Sequence, residues 1–155
     1  MALADESLAG HQAVVKLFST RIPLNAPDRM IEVLLHGLKN GSDKLIRQID
    51  EPLQSSVNRL LSRFFERAPA SFDYRGASLG NLVMTGAYLD HHKRLDPTAA
   101  LFSRLIKSQG VARVSVDANL HLGAQLANGR VVLGQHRLTG KEVAAIQSPI
   151  QELFI

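Results

Sequence analysis

The sequence predicts an α/β chain, helical through its first two-thirds and built of short strands after that. Three observations carry this. Apolar residues recur at helical spacing from Met1 to about Gln109; Leu120, Leu122, Ala124 and Leu126 then alternate with His121, Gly123, Gln125 and Ala127; and Asn128-Gly129 closes that run as a hairpin turn. With 155 residues, 45% of them hydrophobic, the chain is long enough to bury a core. The expectation is a single unit over 1–155, mainly helical over 1–110 and mainly strands over 111–155.

The first helix is expected from Ala2 to Ser19, with Leu3, Leu8, Val14, Val15 and Phe18 as its apolar positions. It has no capping residue ahead of it, because the chain starts inside the pattern. Pro23, Asn25 and Pro27 break the chain, and Asp28 opens a helix from about Arg29 to Lys39. Asn40-Gly41 is a stop, and Ser42 or Asp43 caps a short helix to Ile49. From Glu51 to Arg67, Leu53, Val57, Leu60, Leu61 and Phe64 share one face, with Pro52 in the first turn, where its missing N–H costs nothing. Arg59, Arg63 and Arg67 line another face, a solvated one in preference to a phosphate-binding ridge. A helix follows from Leu79 to about Lys93. Asp96-Pro97 then caps one that reaches Ser108 and buries Leu101, Phe102, Leu105 and Ile106.

Val111 to Val116 reads as a strand, followed by the hairpin. Asn128-Gly129 favours a two-residue type I′ turn with a return strand from Arg130 to His136. That register pairs Ala127 with Arg130, Gly123 with Gly134 and His121 with His136. The glycine pair leaves a notch, which suits packing better than a ligand. The facing histidines lack a third metal ligand and read as an ordinary cross-strand pair. His91 and His92 are neighbours on a helix, about 100° apart, and do not chelate together. Asp73 has no second carboxylate at catalytic spacing, and Ser78 lacks the strand-turn-helix elbow and the acid–histidine set of a hydrolase.

Composition excludes other classes. There is no cysteine, hence no disulfide framework, thiolate zinc site or cysteine nucleophile. No window approaches the run of about 18 to 20 apolar residues of a membrane span, and the first residues lack a secretory pattern. A soluble, cytoplasmic chain with no membrane partner is expected. Eighteen Lys and Arg against fourteen Asp and Glu leave a charge of +4, too diffuse to make nucleic acid the expected partner.

The most informative segment is Phe72-Asp-Tyr-Arg-Gly-Ala-Ser-Leu-Gly-Asn-Leu82. Gly76 and Gly80 bracket Ser78 just before a helical pattern. A glycine-flanked turn into a helix start exposes backbone N–H groups and the positive end of the helix dipole, which suits a phosphate. Ser78 and Asn81 offer side-chain hydrogen bonds. The segment matches neither the P-loop nor the dinucleotide fingerprint, and Ser78 as a plain helix cap fits the spacing equally well.

This segment, together with Asn-Gly-Arg-Val-Val-Leu-Gly-Gln (128–135) and Ser-Pro-Ile-Gln-Glu-Leu-Phe (148–154), resembles the CofD-like family over essentially the whole chain. That family includes 2-phospho-L-lactate transferase of coenzyme F420 biosynthesis and YvcK-type gluconeogenesis factors, and the likeness is greatest to members found with an ATP-grasp kinase. Ala77 stands where the family pattern has histidine. The resemblance implies the central part of a Rossmann-like fold, so that 1–155 is one partial domain. The start inside a helix and the apolar end fit an internal fragment that lacks two glycine-rich phosphate loops.

The implied activity is transfer of a phospholactyl or phosphoenolpyruvyl group from a guanosine-diphosphate carrier to a deazaflavin, with Mg2+ held by residues outside this chain. The isolated chain is then expected to be inactive. The alternative is a non-catalytic, YvcK-like regulator or kinase-system partner that binds a nucleotide-sugar or related phosphorylated metabolite. The resemblance carries Gly76, Ser78, Gly80 and Asn81 over as ligand-contacting positions; charge adds Arg75 as a phosphate neighbour. No catalytic residue and no metal ligand is assigned. A phosphorylated nucleotide-linked small molecule, a second copy of the chain and an ATP-grasp kinase system are the expected partners.

Overall fold

The computed structural model describes residues 11–110, 120–139 and 145–155. The chain divides into two compact units, Met1–Asp117 and Ala118–Ile155. Their described parts are mixed in class: six helices lie in the first, and a small antiparallel sheet with one short helix in the second. The first nine residues of the expected opening helix, Ala2 to Gly10, and the expected Val111–Val116 strand fall outside the described residues.

In the first unit the helices are α1 (His11–Ser19), α2 (Asp28–Lys39), α3 (Lys44–Arg47), α4 (Leu53–Arg67), α5 (Leu79–Asp90) and α6 (Leu95–Leu105). The periodicity of α4 picks out its core face: Val57, Leu60, Leu61 and Phe64 are buried and Leu53 packs beside them. Its start differs from expectation. Pro52 precedes the helix, and the Glu51 carboxylate accepts from the Ser55 backbone N–H at 3.2 Å and from its hydroxyl at 2.8 Å. A carboxylate at this end also favours the helix dipole.

Helix α5 sits at the centre, in contact with α1, α4 and α6. Leu79, Gly80, Leu82, Val83, Gly86 and Ala87 are all buried, so it is apolar nearly all round, as a core helix should be. At Gly86 the backbone of α4 comes so close that a Cβ would lie 1.8 Å from the Leu60 carbonyl oxygen. Around this contact gather Val14, Leu17 and Phe18 from α1, Leu38 from α2, Ile46 from α3 and Leu105 from α6. Phe18 and Phe102 meet with ring centroids 5.3 Å apart.

Three helices end in the same way. After α2, Ser42 N–H reaches Gly37 O at 2.9 Å over a left-handed Gly41. After α5, Lys93 N–H reaches Tyr88 O at 2.7 Å and His92 N–H reaches Leu89 O at 3.3 Å. After α6, Ser108 N–H reaches Ser103 O at 2.9 Å and Lys107 N–H reaches Arg104 O at 3.3 Å. These are Schellman closures, which favour glycine at the left-handed position. Only the first has it; His92 (φ 54°) and Lys107 (φ 44°) occupy the others. The closure ends α5 at Asp90, three residues before the expected Lys93. Asp43 caps α3 as expected, accepting from Leu45 N–H at 2.8 Å. Helix α6 starts at Leu95, so Asp96 and Pro97 lie inside its first turn and Asp96 is not the cap.

In the second unit β1 (Gly123–Leu126) pairs antiparallel with β2 (Val131–Leu133) and with β3 (Ile150–Phe154), in the order β2-β1-β3. The hairpin register differs by one residue from that expected: Gly123 faces Leu133, Ala124 faces Val132 and Gln125 faces Val131. The cause lies in the turn. Among its residues only Gly129 is left-handed (φ 82°), whereas type I′ needs two such residues. The loop is therefore three residues, Ala127-Asn128-Gly129, closed by Gly129 N–H to Leu126 O at 2.8 Å and Leu126 N–H to Arg130 O at 2.9 Å. The return strand stops at Leu133. Gly134 (φ 95°) turns the chain into α7 (Gln135–Leu138), which takes His136 out of the sheet. The glycine pair and the His121–His136 pair do not form. Gly123 is still a packing notch, because the Phe154 ring covers it and a Cβ there would lie 2.3 Å from that ring.

Two substitutions test these contacts. Gly86→Ala gains about 1 kcal/mol in helix propensity but overpacks a contact with backbone, which cannot swing aside. A net loss of about 2 kcal/mol is expected, read as a lower urea midpoint at unchanged slope. His92→Gly, at an exposed left-handed position, is expected to raise stability by about 1 kcal/mol in the same measurement.

Candidate functional site

The segment before α5 is held from one side by the stretch that leaves α1. Arg21 and Ser78 form an antiparallel bridge. Around it Ile22 N–H donates to Ala77 O, Gly76 N–H to Ile22 O and Leu79 N–H to Thr20 O, each at 2.9 Å. The Arg21 guanidinium also donates to Gly76 O. Three N–H groups of the turn are thus engaged within the protein, since Ala77 N–H donates to Tyr74 O at 3.1 Å.

Both glycines have local reasons to be glycine. Gly76 is left-handed (φ 73°), and a Cβ there would lie 2.8 Å from Leu24 Cδ2. Gly80 rests on the end of α1, where a Cβ would come within 2.7 Å of Phe18 O and 2.8 Å of Phe18 Cα. Ser78 is the N-cap residue of α5 by backbone, yet its side chain makes no capping bond; the hydroxyl donates to Phe18 O at 3.2 Å instead. Gly80 and Asn81 are then the first-turn residues whose N–H groups find no acceptor among the described residues. Gly80 is buried and Asn81 is exposed.

Arg75 is committed elsewhere. Its Nε donates to Ala26 O at 3.2 Å, Nη1 to Asp73 Oδ1 at 3.1 Å and Nη2 to Asp28 Oδ1. The hydrogen bond to Asp28, followed by that to Asp73, raises its pKa above the ordinary value. The Asp73 carboxyl is held below the ordinary value, first by the Arg75 backbone N–H at 3.0 Å and then by the Arg75 side chain. Asp28 therefore serves as an anchor for Arg75 and not as the cap of α2. The partners are 47 residues apart, so no local sequence signal announces them. The three ionic groups, Glu32 and the rings of Phe72 and Tyr74 line a shallow cleft of about 450 Å3. Burial pushes the Tyr74 hydroxyl up.

The arginine face of α4 is exposed to solvent, as expected, and two of its members are ion-paired there. Arg59 is ion-paired with Asp90 at the end of α5, and Arg63 bonds Asp90 at 3.3 Å and Glu66 at 3.1 Å. Arg67 has no carboxylate partner among the described residues. Among those residues no three His, Cys, Asp or Glu side chains gather as a metal site, and no helix is long and apolar enough to cross a membrane. Compared with family models, curated proteins and solved structures, the chain finds no match.

The Asp90 link between α4 and α5 has a pH signature. The hydrogen bond from Arg59, ahead of the charges of Arg59 and Arg63, lowers the Asp90 pKa below its ordinary 3.8. A folded-state pKa below the unfolded one means that the folded protein binds this proton less readily. Its contribution to stability is full above about pH 4 and is lost as pH falls through the folded value. Asp90→Asn is expected to flatten the acid side of the stability–pH curve below pH 4. Carboxyl NMR of the parent chain should give an Asp90 midpoint below 3.8 that rises on Arg59→Ala.

Proposed function

We propose that this chain belongs with the CofD-like proteins, in a Rossmann-like fold of that type, and that its Gly76–Asn81 turn contributes to binding the phosphate end of a nucleotide-linked metabolite. One observation carries the reading. Helix α5 starts on a turn fixed by three backbone bonds, has no side-chain cap, and offers Asn81 to solvent with its N–H unclaimed among the described residues. A helix start of this kind is electrostatically suited to an anion. The family resemblance supplies the ligand class: a guanosine diphosphate carrying a phospholactyl or phosphoenolpyruvyl group, with a deazaflavin as acceptor.

Each residue's share follows from its bonds. Asn81 presents two donors, its backbone N–H and its side-chain amide. Gly76 and Gly80 shape the turn, and Ser78 fixes it through Phe18 O. Arg75 holds the turn against the entry to α2 through Asp28 and Ala26, which makes it a positioning residue. Transfer of a phosphorus-bearing group needs charge neutralisation at the leaving and attacking oxygens, the part that Mg2+ plays in such reactions. No described residue is assigned to that ion. The role proposed for this chain is binding, and no turnover is expected from it alone. The Ser78 hydroxyl and the Arg75 guanidinium, the two groups with chemistry to offer, are already spent on structure.

Titration of the 155-residue chain with GDP at low salt tests the reading. Asn81→Asp places a carboxylate in the first turn, where it favours the helix dipole but repels phosphate. The variant is expected to keep or gain thermal stability and to bind GDP at least about tenfold more weakly, a change of 1.4 kcal/mol. Absence of saturable GDP binding, or equal binding by Asn81→Asp, would overturn the assignment.

A further inference from the structure

We propose that the groove between the C-terminal ends of α4 and α5 is a second site, for the phosphate group of a small phosphomonoester. It lies at the opposite end of α5 from the Gly76–Asn81 turn, about 18 Å away along a twelve-residue helix, and does not depend on the reading of that turn. The groove has a volume of about 390 Å3, with Arg63, Arg67, His92 and Lys93 around it and Leu89 as its apolar member. Such a volume is in the range of small-ligand sites.

Its charge is unbalanced. The two carboxylates on its wall are already shared: Asp90 with Arg59 and Arg63, Glu66 with Arg63. Arg67 and Lys93 have no carboxylate partner among the described residues. Two helix ends meet here, and helix C-termini repel anions. At α5 that repulsion is reduced, because the carbonyls of Ala87, Tyr88 and Leu89 accept from the N–H groups of His91, Lys93 and His92.

The backbone adds an independent observation. The Schellman closure of α5 needs one left-handed residue, and His92 supplies it. Lys93 is left-handed as well, at φ 62°. Two consecutive non-glycine residues in this region are an unfavourable arrangement that α5 does not need for its own termination. Both residues line the groove. This backbone carries Lys93 to the wall of the groove that Arg67 also lines, and a guanidinium able to bind two oxygens together with an ammonium is the donor set that suits a compact dianion. A nucleic-acid strand fits less well. The groove has no aromatic ring among its lining residues on which a base would stack, and Glu66 and Asp90 interrupt the track that a polyanion would follow.

The test is an NMR titration of the full chain with inorganic phosphate, with sodium chloride at matched ionic strength as reference. Saturable shifts are expected at the His92 and Lys93 amides and at Arg67 Nε–H, with chloride producing none that saturate. A double variant, Arg67→Gln with Lys93→Gly, removes both unpaired cations while relieving the left-handed backbone at Lys93, so it should fold. It is expected to bind phosphate at least tenfold more weakly. Shifts reproduced by chloride, or unchanged phosphate binding by the double variant, would overturn the proposal. So would tight, steeply salt-dependent binding of a single-stranded DNA dodecamer without saturable phosphate binding, because the face would then be a nucleic-acid surface.

Discussion

The first unit depends on one close approach, that of α5 to the α4 backbone at Gly86. The Leu60 carbonyl stands where the first side-chain atom of any other residue would be. That contact lets Leu82, Val83 and Ala87 of α5 reach a layer shared with Val57, Leu60, Leu61 and Phe64 of α4. Each fully buried aliphatic side chain contributes about 1.5–3 kcal/mol, so the close approach matters chiefly through the burial it permits. Gly80 does the same against α1, where Phe18 backbone fills the space of a side chain. Helix α5 is consequently held by backbone contacts in its first turn and at Gly86, about a turn before its end, and the ion pairs of Asp90 with Arg59 and Arg63 are a surface addition. Exposed pairs of that kind contribute little compared with the packing beneath them.

This clamping changes the meaning of the glycine-rich turn. In the sequence, Gly76, Ser78 and Gly80 look like one device for holding an anion. In the structure they have three separate tasks: a left-handed bend against Leu24, a hydroxyl bond to Phe18 O and a helix contact with α1. All three would be needed in a protein that bound nothing there. A binding role therefore has to rest on what these tasks leave over, and that is Asn81 and the uncapped first turn. Arg75 shows the same economy. Its charge is already opposed by Asp28 and Asp73, so a phosphate would have to compete with two carboxylates to recruit it.

Legibility in the sequence follows the range of the interactions involved. The buried face of α4, the Asn40-Gly41 stop and the Asp43 cap rest on residues within a turn or two of one another, and the residue types announce them. The end of α5 is also local, but its closure uses His92 where glycine would have been the signal, so the helix reads three residues too long. The hairpin fails by one residue because Asn128-Gly129 suits both a two-residue turn with Asn128 left-handed and a three-residue loop that takes in Ala127 and leaves only Gly129 left-handed. A slip of one moves every paired side chain to a different opposite number, which removes the facing glycines and histidines together. The Asp28–Arg75 and Arg59–Asp90 pairs join residues far apart in the chain, and no spacing rule reaches that far.

The two ends of α5 carry opposite electrostatics, and the two proposed sites differ accordingly. At the start, the helix itself supplies the attraction, through N–H groups and the positive end of the dipole, while the neighbouring arginine is engaged. At the finish, the dipole is unfavourable and side chains must supply the attraction, from Arg67 and Lys93 around a groove whose acids are already paired. An attraction built from backbone is fixed in place and hardly altered by substitution. One built from long cationic side chains is adjustable, weakened by salt and removable by changing two residues. Helix α5, packed against backbone at Gly80 and Gly86, offers both kinds from a single buried element.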